Sequence, residues 1–143
     1  MSSETTKSGA LRLETPPTIG NHRKGVILLV DDERPILTAL ERQFKTAGYF
    51  PLTTTTIGDA WSLLDTWVVH CIVADERIPD GSGAYFLVDV GKKFGAKMGR
   101  ILLTGYLEPY LSELASENQF VALDKECRFA DLLAAVRNEL GDA

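Results

Sequence analysis

The chain is short of what marks several large protein classes. Only two cysteines occur in 143 residues, Cys71 and Cys127, far apart and outside any metal-ligand spacing. That excludes a disulfide framework and a thiolate metal cluster, and it predicts unpaired thiols in a reducing, cytoplasmic setting. Positive charge is also scarce, with 15 Lys and Arg against 20 Asp and Glu, a formal charge of -5. A surface of that sign is poorly suited to phosphate-rich nucleic acid or anionic lipid, so neither is expected as a partner. No apolar run approaches the ~20 residues a membrane span needs. The N-terminus lacks the hydrophobic core of a secretory signal.

What remains is a chain of ordinary globular composition, 45% hydrophobic and 24% charged, long enough for one self-supporting core and some extra length. Residues 1–24 are rich in Ser, Thr, Pro and Gly with no sustained period, and they read as a flexible tail ahead of a domain over 25–143. From Val26 the texture changes. Val26-Ile27-Leu28-Leu29-Val30 is a continuous run rich in branched residues, the pattern of a strand buried on both faces. Pro35 suits the first turn of a helix, Ile36, Leu37, Leu40 and Phe44 follow at helical spacing, and Gly48 stops it. The alternation then repeats. Strands are expected over Phe50–Thr55, Cys71–Ala74, Ile101–Leu103 and Phe120–Leu123. Helices are marked by Ala60, Leu63, Leu64 and Trp67, and then by Phe86, Leu87, Val90 and Phe94. A further helix over Leu107–Glu117, irregular around Pro109, precedes a last one marked by Phe129, Leu132, Leu133, Val136 and Leu140. Five strand–helix units predict an α/β fold, a flavodoxin-like (βα)5 doubly wound parallel sheet with strand order 2-1-3-4-5.

In such sheets ligands bind beyond the carboxyl ends of the strands, where the strand order reverses. The first strand ends in Asp31-Asp32-Glu33, the third in Asp75 and the fourth in Thr104, and Lys125 follows the fifth. Any one of these could be a plain surface residue or a turn former. Their joint placement at successive strand ends is what points to a site. Converging carboxylates repel and call for a cation. Mg2+ suits hard oxygen donors and keeps places for water and phosphate oxygens. Lys125 adds positive charge, and Thr104 can donate to an incoming oxyanion. Together they can position a phosphoryl donor against a carboxylate nucleophile.

At these residues the sequence resembles the receiver domains of two-component response regulators. The resemblance rests on Ile27-Leu28-Leu29-Val30-Asp31-Asp32-Glu33, on Asp75-Glu76-Arg77-Ile78-Pro79-Asp80-Gly81-Ser82-Gly83, on Ile101-Leu102-Leu103-Thr104-Gly105-Tyr106, and on Lys125. Pro79 and Gly83 stand four and eight residues after Asp75, as the family pattern requires. The resemblance implies that Asp75 is the phosphoacceptor. It further implies that Asp31, Asp32, Asp75 and the backbone carbonyl of Arg77 hold Mg2+, that Thr104 and Lys125 contact the phosphoryl group, and that the small Gly105 leaves room for the donor. It implies a sensor histidine kinase or phosphotransfer protein as donor, and a homodimer or partner contact through the fourth helix, fifth strand and fifth helix.

Two departures stand out. Glu126 follows the lysine where the family usually has proline, so no cis bond is expected there. Ala122 occupies the place of the family's switch aromatic, and Phe120, of the same strand parity, becomes the candidate switch aromatic. Arg77 is an unusual neighbour for the acceptor, free to pair with Glu76, Asp80 or a phosphoryl oxygen. Two rival functions compete with a signalling receiver that is not otherwise an enzyme. A Mg2+-dependent phosphohydrolase would want a second aspartate two positions after Asp75, where Arg77 stands. An unphosphorylated pseudo-receiver or a flavin module is the other, although acids follow the first strand instead of a Ser/Thr/Gly-rich phosphate loop. The chain closes soon after its last helix, so no output domain is expected within it.

Overall fold

The computed structural model describes residues 24–95 and 97–141, and the expected tail, apart from Lys24, lies outside them. The elements are β1 (Val26–Val30), α1 (Arg34–Thr46), β2 (Phe50–Thr54), α2 (Ile57–Thr66), β3 (Cys71–Asp75), two-residue strands β4 (Arg77–Ile78) and β5 (Gly81–Ser82), α3 (Gly83–Phe94), β6 (Gly99–Thr104), α4 (Pro109–Asn118), β7 (Val121–Asp124) and α5 (Phe129–Glu139). The main sheet has the order β2-β1-β3-β6-β7, all parallel, while β4 and β5 form a separate small hairpin. Without the hairpin this is the expected 2-1-3-4-5 order.

The apolar runs explain the layering. Every residue of β1 and β3 is buried. Successive side chains point to opposite faces of a strand. Val26, Leu28, Val30, Ile72, Ala74 and Leu102 therefore meet Ala60, Leu64, Leu87, Val90 and Leu111 on one face. Ile27, Leu29, Val73, Ile101 and Leu103 meet Leu37, Phe44, Leu132 and Val136 on the other. Burying each such side chain is worth roughly 1.5–3 kcal/mol, and the two cores make the sheet a rigid base for its carboxyl edge. β2 lies at the edge of the sheet, where Pro51 costs no ladder bond on its open side.

Some element ends differ from expectation. The fourth helix is not irregular at Pro109. It begins there, because the first helical position needs no N–H. It ends at Gln119, whose φ of 61° is left-handed. The loop after Asp75 folds into the β4–β5 hairpin and leads directly into α3 at Gly83. Arg100 on β6 is a surprise, since it is buried within the sheet. Its guanidinium donates to the carbonyls of Leu87 (3.0 Å) and Asn118 (2.8 Å), tying α3 to the end of α4. Gly91 makes room, because a Cβ there would collide with the guanidinium.

Gly83 ties the fold to the carboxyl edge. Its amide donates to the Glu76 carbonyl at 2.9 Å, and a Cβ on it would overlap the carbonyl oxygen of Asp75. Gly83→Ala should therefore force α3 and the Asp75 segment apart and destabilise the domain by about 1–3 kcal/mol. Urea denaturation checks this, and an unchanged midpoint would refute it.

Candidate functional site

Strand geometry builds the site. Asp31 is the first residue beyond β1, and its amide donates to Thr54 of β2 at 3.1 Å. Its side chain turns back so that Oδ1 accepts from the Glu33 amide at 2.9 Å, and the residue is only 3% exposed. Asp75 ends β3 and is 8% exposed. Asp32 stands beside them, exposed. Each of the three offers a carboxylate oxygen, and these atoms lie within 4.8 Å of one another.

Lys125 reaches this group because β7 pairs with β6 in register. Thr104 faces Asp124 across that pairing, and the Lys125 amide donates to the Thr104 carbonyl at 2.9 Å. Its Nζ stands 2.8 Å from Asp75 Oδ2, 2.9 Å from Glu33 Oε1 and 3.3 Å from Asp31 Oδ2. Glu33 is thus a member of the site that sequence reasoning quoted but gave no role. Its position third after β1 was the available signal.

The electrostatics follow from this packing. Burial pushes the Asp31 carboxyl above its ordinary 3.8, against the pull of the Glu33 amide and of Lys125. For Lys125, burial works to lower the amine. Its hydrogen bonds to Asp75 and Glu33 and the charge of Asp31 outweigh that effect, so the amine sits well above its ordinary 10.5. The donor set at the acidic end consists of carboxylate oxygens with one member exposed, which fits a hard divalent cation such as Mg2+ that retains waters. Asp31, Asp32 and Asp75 would hold it.

A cleft of about 340 Å³ opens over the acceptor, lined by Arg77, Thr104, Gly105, Tyr106 and Tyr110 among others. A Cβ built on Gly105 would meet nothing within 4 Å, so the space above that position is open. The Thr104 hydroxyl is occupied elsewhere. It donates to the Tyr106 carbonyl at 3.0 Å and accepts from the Tyr106 amide at 3.3 Å. Arg77 is exposed. Its expected partners are both engaged with helix N-termini, Glu76 with Ala84 and Asp80 with Ile57 and Gly58.

Among the described residues no peptide bond is cis. In place of proline, Asp124 shapes the loop, its Oδ1 accepting from the Glu126 amide at 2.7 Å and its carbonyl from the Cys127 amide at 3.0 Å. Phe120 is 5% exposed and packs with Leu111 and Ala115 on the face that Ala122 also touches. It lies four residues before Asp124, the partner of Thr104, which is roughly 13 Å along the strand at ~3.3 Å per residue. The structure therefore does not bring Phe120 over Thr104 with the other predicted residues.

The raised Lys125 amine makes a sign-specific prediction. A group whose folded value is raised stabilises the fold fully below its unfolded value and loses that contribution as pH rises toward the folded one. In divalent-free buffer, Lys125→Met should be less stable than wild type at neutral pH, because it leaves Asp31, Glu33 and Asp75 uncompensated. The gap should narrow above pH 10.5. Denaturant titrations across pH measure it, and a gap that is constant or widens there would refute the assignment.

Residues 27–137 match the family model described as the response regulator receiver domain. The hydrogenase transcriptional regulatory protein HoxA of Bradyrhizobium diazoefficiens is 35% identical over 85 residues, which cover 59% of this chain and 17% of that protein. The chain thus spans less than a fifth of that relative's length. The signal receiver domain of an HD domain-containing protein from Pseudomonas fluorescens superposes with a TM-score of 0.76 at 27% identity, over 83% of this chain and 96% of that one. An uncharacterized protein from Neptuniibacter caesariensis gives a TM-score of 0.77 at 28% identity, over 85% and 90%. The family match spans the stretch that carries Asp31, Asp75, Thr104 and Lys125, and on that ground the chain belongs to the response regulator receiver domains, the signal-accepting modules of two-component systems.

Proposed function

We propose that this domain accepts a phosphoryl group on Asp75 from a histidine kinase or phosphotransfer protein in the cytoplasm, in a Mg2+-dependent reaction. The observation that carries this reading is the convergence of Asp31, Asp32, Asp75 and Lys125 on one edge of the sheet. An Asp75 carboxylate oxygen forms the new bond to phosphorus as the donor's phosphorus–nitrogen bond breaks and the imidazole departs. Mg2+, held by Asp31, Asp32, Asp75 and the Arg77 carbonyl, would offset charge on the carboxylates and the phosphoryl oxygens. The domain catalyses nothing beyond its own phosphorylation and dephosphorylation.

Formation of the acyl phosphate removes the negative charge of the Asp75 carboxylate, so Lys125 shifts its hydrogen bond to a phosphoryl oxygen. The Thr104 hydroxyl is drawn to another, and it must give up both contacts to the Tyr106 backbone. That frees the segment entering α4, where Tyr106, Leu107 and Tyr110 are exposed. The α4–β7–α5 face then changes shape and binds a partner or a second copy. Gly105 leaves the donor's path open. The buried Phe120 is coupled to the switch through α4 and not through direct contact with Thr104.

Incubation with acetyl phosphate and Mg2+ followed by intact-mass measurement should show the gain of one phosphoryl group, absent in Asp75→Asn. No gain in the wild type would refute the proposal. Beryllofluoride added during size-exclusion chromatography reads the homodimer directly. Arg77, exposed beside the acceptor, is assigned to shield the acyl phosphate from water. Arg77→Ala should shorten the phosphoryl half-life by roughly two- to tenfold, or up to ~1.4 kcal/mol of barrier. Equal half-lives would reject that role.

A further inference from the structure

The hairpin that follows Asp75 is fastened at both ends by carboxylates that take no part in the phosphoryl chemistry. At one end, the Glu76 side chain accepts from the Ala84 amide at 2.9 Å and from the Ser82 hydroxyl at 3.0 Å, at the N-terminus of α3. At the other end, Asp80 spans two amides of a different helix. Its Oδ1 accepts from Ile57 at 2.8 Å and its Oδ2 from Gly58 at 2.9 Å. These are the first two amides of α2, and the third, that of Asp59, goes to the Thr56 hydroxyl at 3.1 Å. The two hydrogen bonds hold the Asp80 carboxyl below its ordinary 3.8, as charge-assisted bonds at the positive end of a helix should.

The contact reaches across 22 to 23 residues of sequence. α2 has its own cap in Thr56, and it gains a second one only because the hairpin delivers it. Gly81, at φ 155°, permits the approach, since a Cβ there would stand 3.1 Å from the Ile57 Cδ1. Arg77 pairs with Ser82 inside this hairpin, between the two fastened carboxylates.

We propose that Asp80 is a positioning residue for the cation site, holding the hairpin against α2 so that the Arg77 carbonyl stays aligned with Asp75. This rests on the Mg2+ site proposed above. Residues that orient metal ligands typically shift affinity by about 10–100-fold when removed. Asp80→Ala should therefore weaken Mg2+ binding about tenfold at the low end of that range, and Asp80→Asn, which keeps one acceptor, should recover part of it.

Calorimetric titration of the full chain with MgCl2 tests this, at a temperature where circular dichroism shows every variant folded. Thr56→Ala is the control, because it removes the cap that α2 supplies itself and leaves the hairpin fastened. The expected result is a lower melting temperature in both variants but a changed Mg2+ affinity only in Asp80→Ala. Hydrogen exchange without metal should show lost protection at the Ile57 and Gly58 amides in Asp80→Ala. Wild-type binding with an unchanged dissociation constant in Asp80→Ala overturns the inference alone, as does an equal loss in Thr56→Ala. No Mg2+ binding by the wild type overturns the cation site and this inference together.

Discussion

The carboxyl edge of this domain is organised by one ammonium group among three carboxylates. Lys125 Nζ is within 3.3 Å of Asp31, Glu33 and Asp75, and those partners come from segments 50 to 94 residues away in sequence. Nothing local holds them together. Each acid raises the cost of ionising the next, and burial adds to it, so the cluster is tolerable only with a cation in its midst. Lys125 supplies that cation in the folded chain. The proposed reaction exploits the same arrangement, because an incoming phosphoryl group brings fresh negative charge to an amine already in place.

The rest of the architecture keeps that amine where it is. β7 is short, and the residue after it must point toward β3. Pairing with β6 sets the register, the Lys125 amide is tied to Thr104, and Asp124 folds the following loop by accepting from Glu126 and Cys127. An aspartate turn thus shapes the loop after Lys125, where Glu126 follows the lysine. Thr104 lies at the junction of these constraints. Its hydroxyl is committed to the Tyr106 backbone, and the proposed switch would have to break those two hydrogen bonds.

α4 begins at Pro109, five residues after Thr104, so it is the first helix that the proposed switch would reach. Only Leu111 and Ala115 of this helix are buried, and its far end is pinned by Arg100 through Asn118. α1, α2 and α5 likewise bury two residues each, whereas α3 buries six and is the most deeply anchored helix.

The sequence by itself determined the alternation of strands and helices, the two-faced core and the parallel order. Continuous branched runs and helical apolar spacing are local signals with no competing solution. It also determined which acids, hydroxyl and amine stand at the strand ends, since a residue's position on a strand follows from counting. Some outcomes depended on contacts between distant segments, and no local pattern carries those. Pro109 reads as a helix disturbance until the helix start is known. Arg100 reads as a surface charge until Gly91, nine residues earlier, opens space for it. Asp80 reads as a turn residue until α2 arrives beneath it, and the distance of Phe120 from Thr104 is set only by the pairing of β7 with β6. Tertiary structure alone decided which partners each polar side chain took, because hydrogen bonds and charge compensation are short-ranged in space and indifferent to separation along the chain.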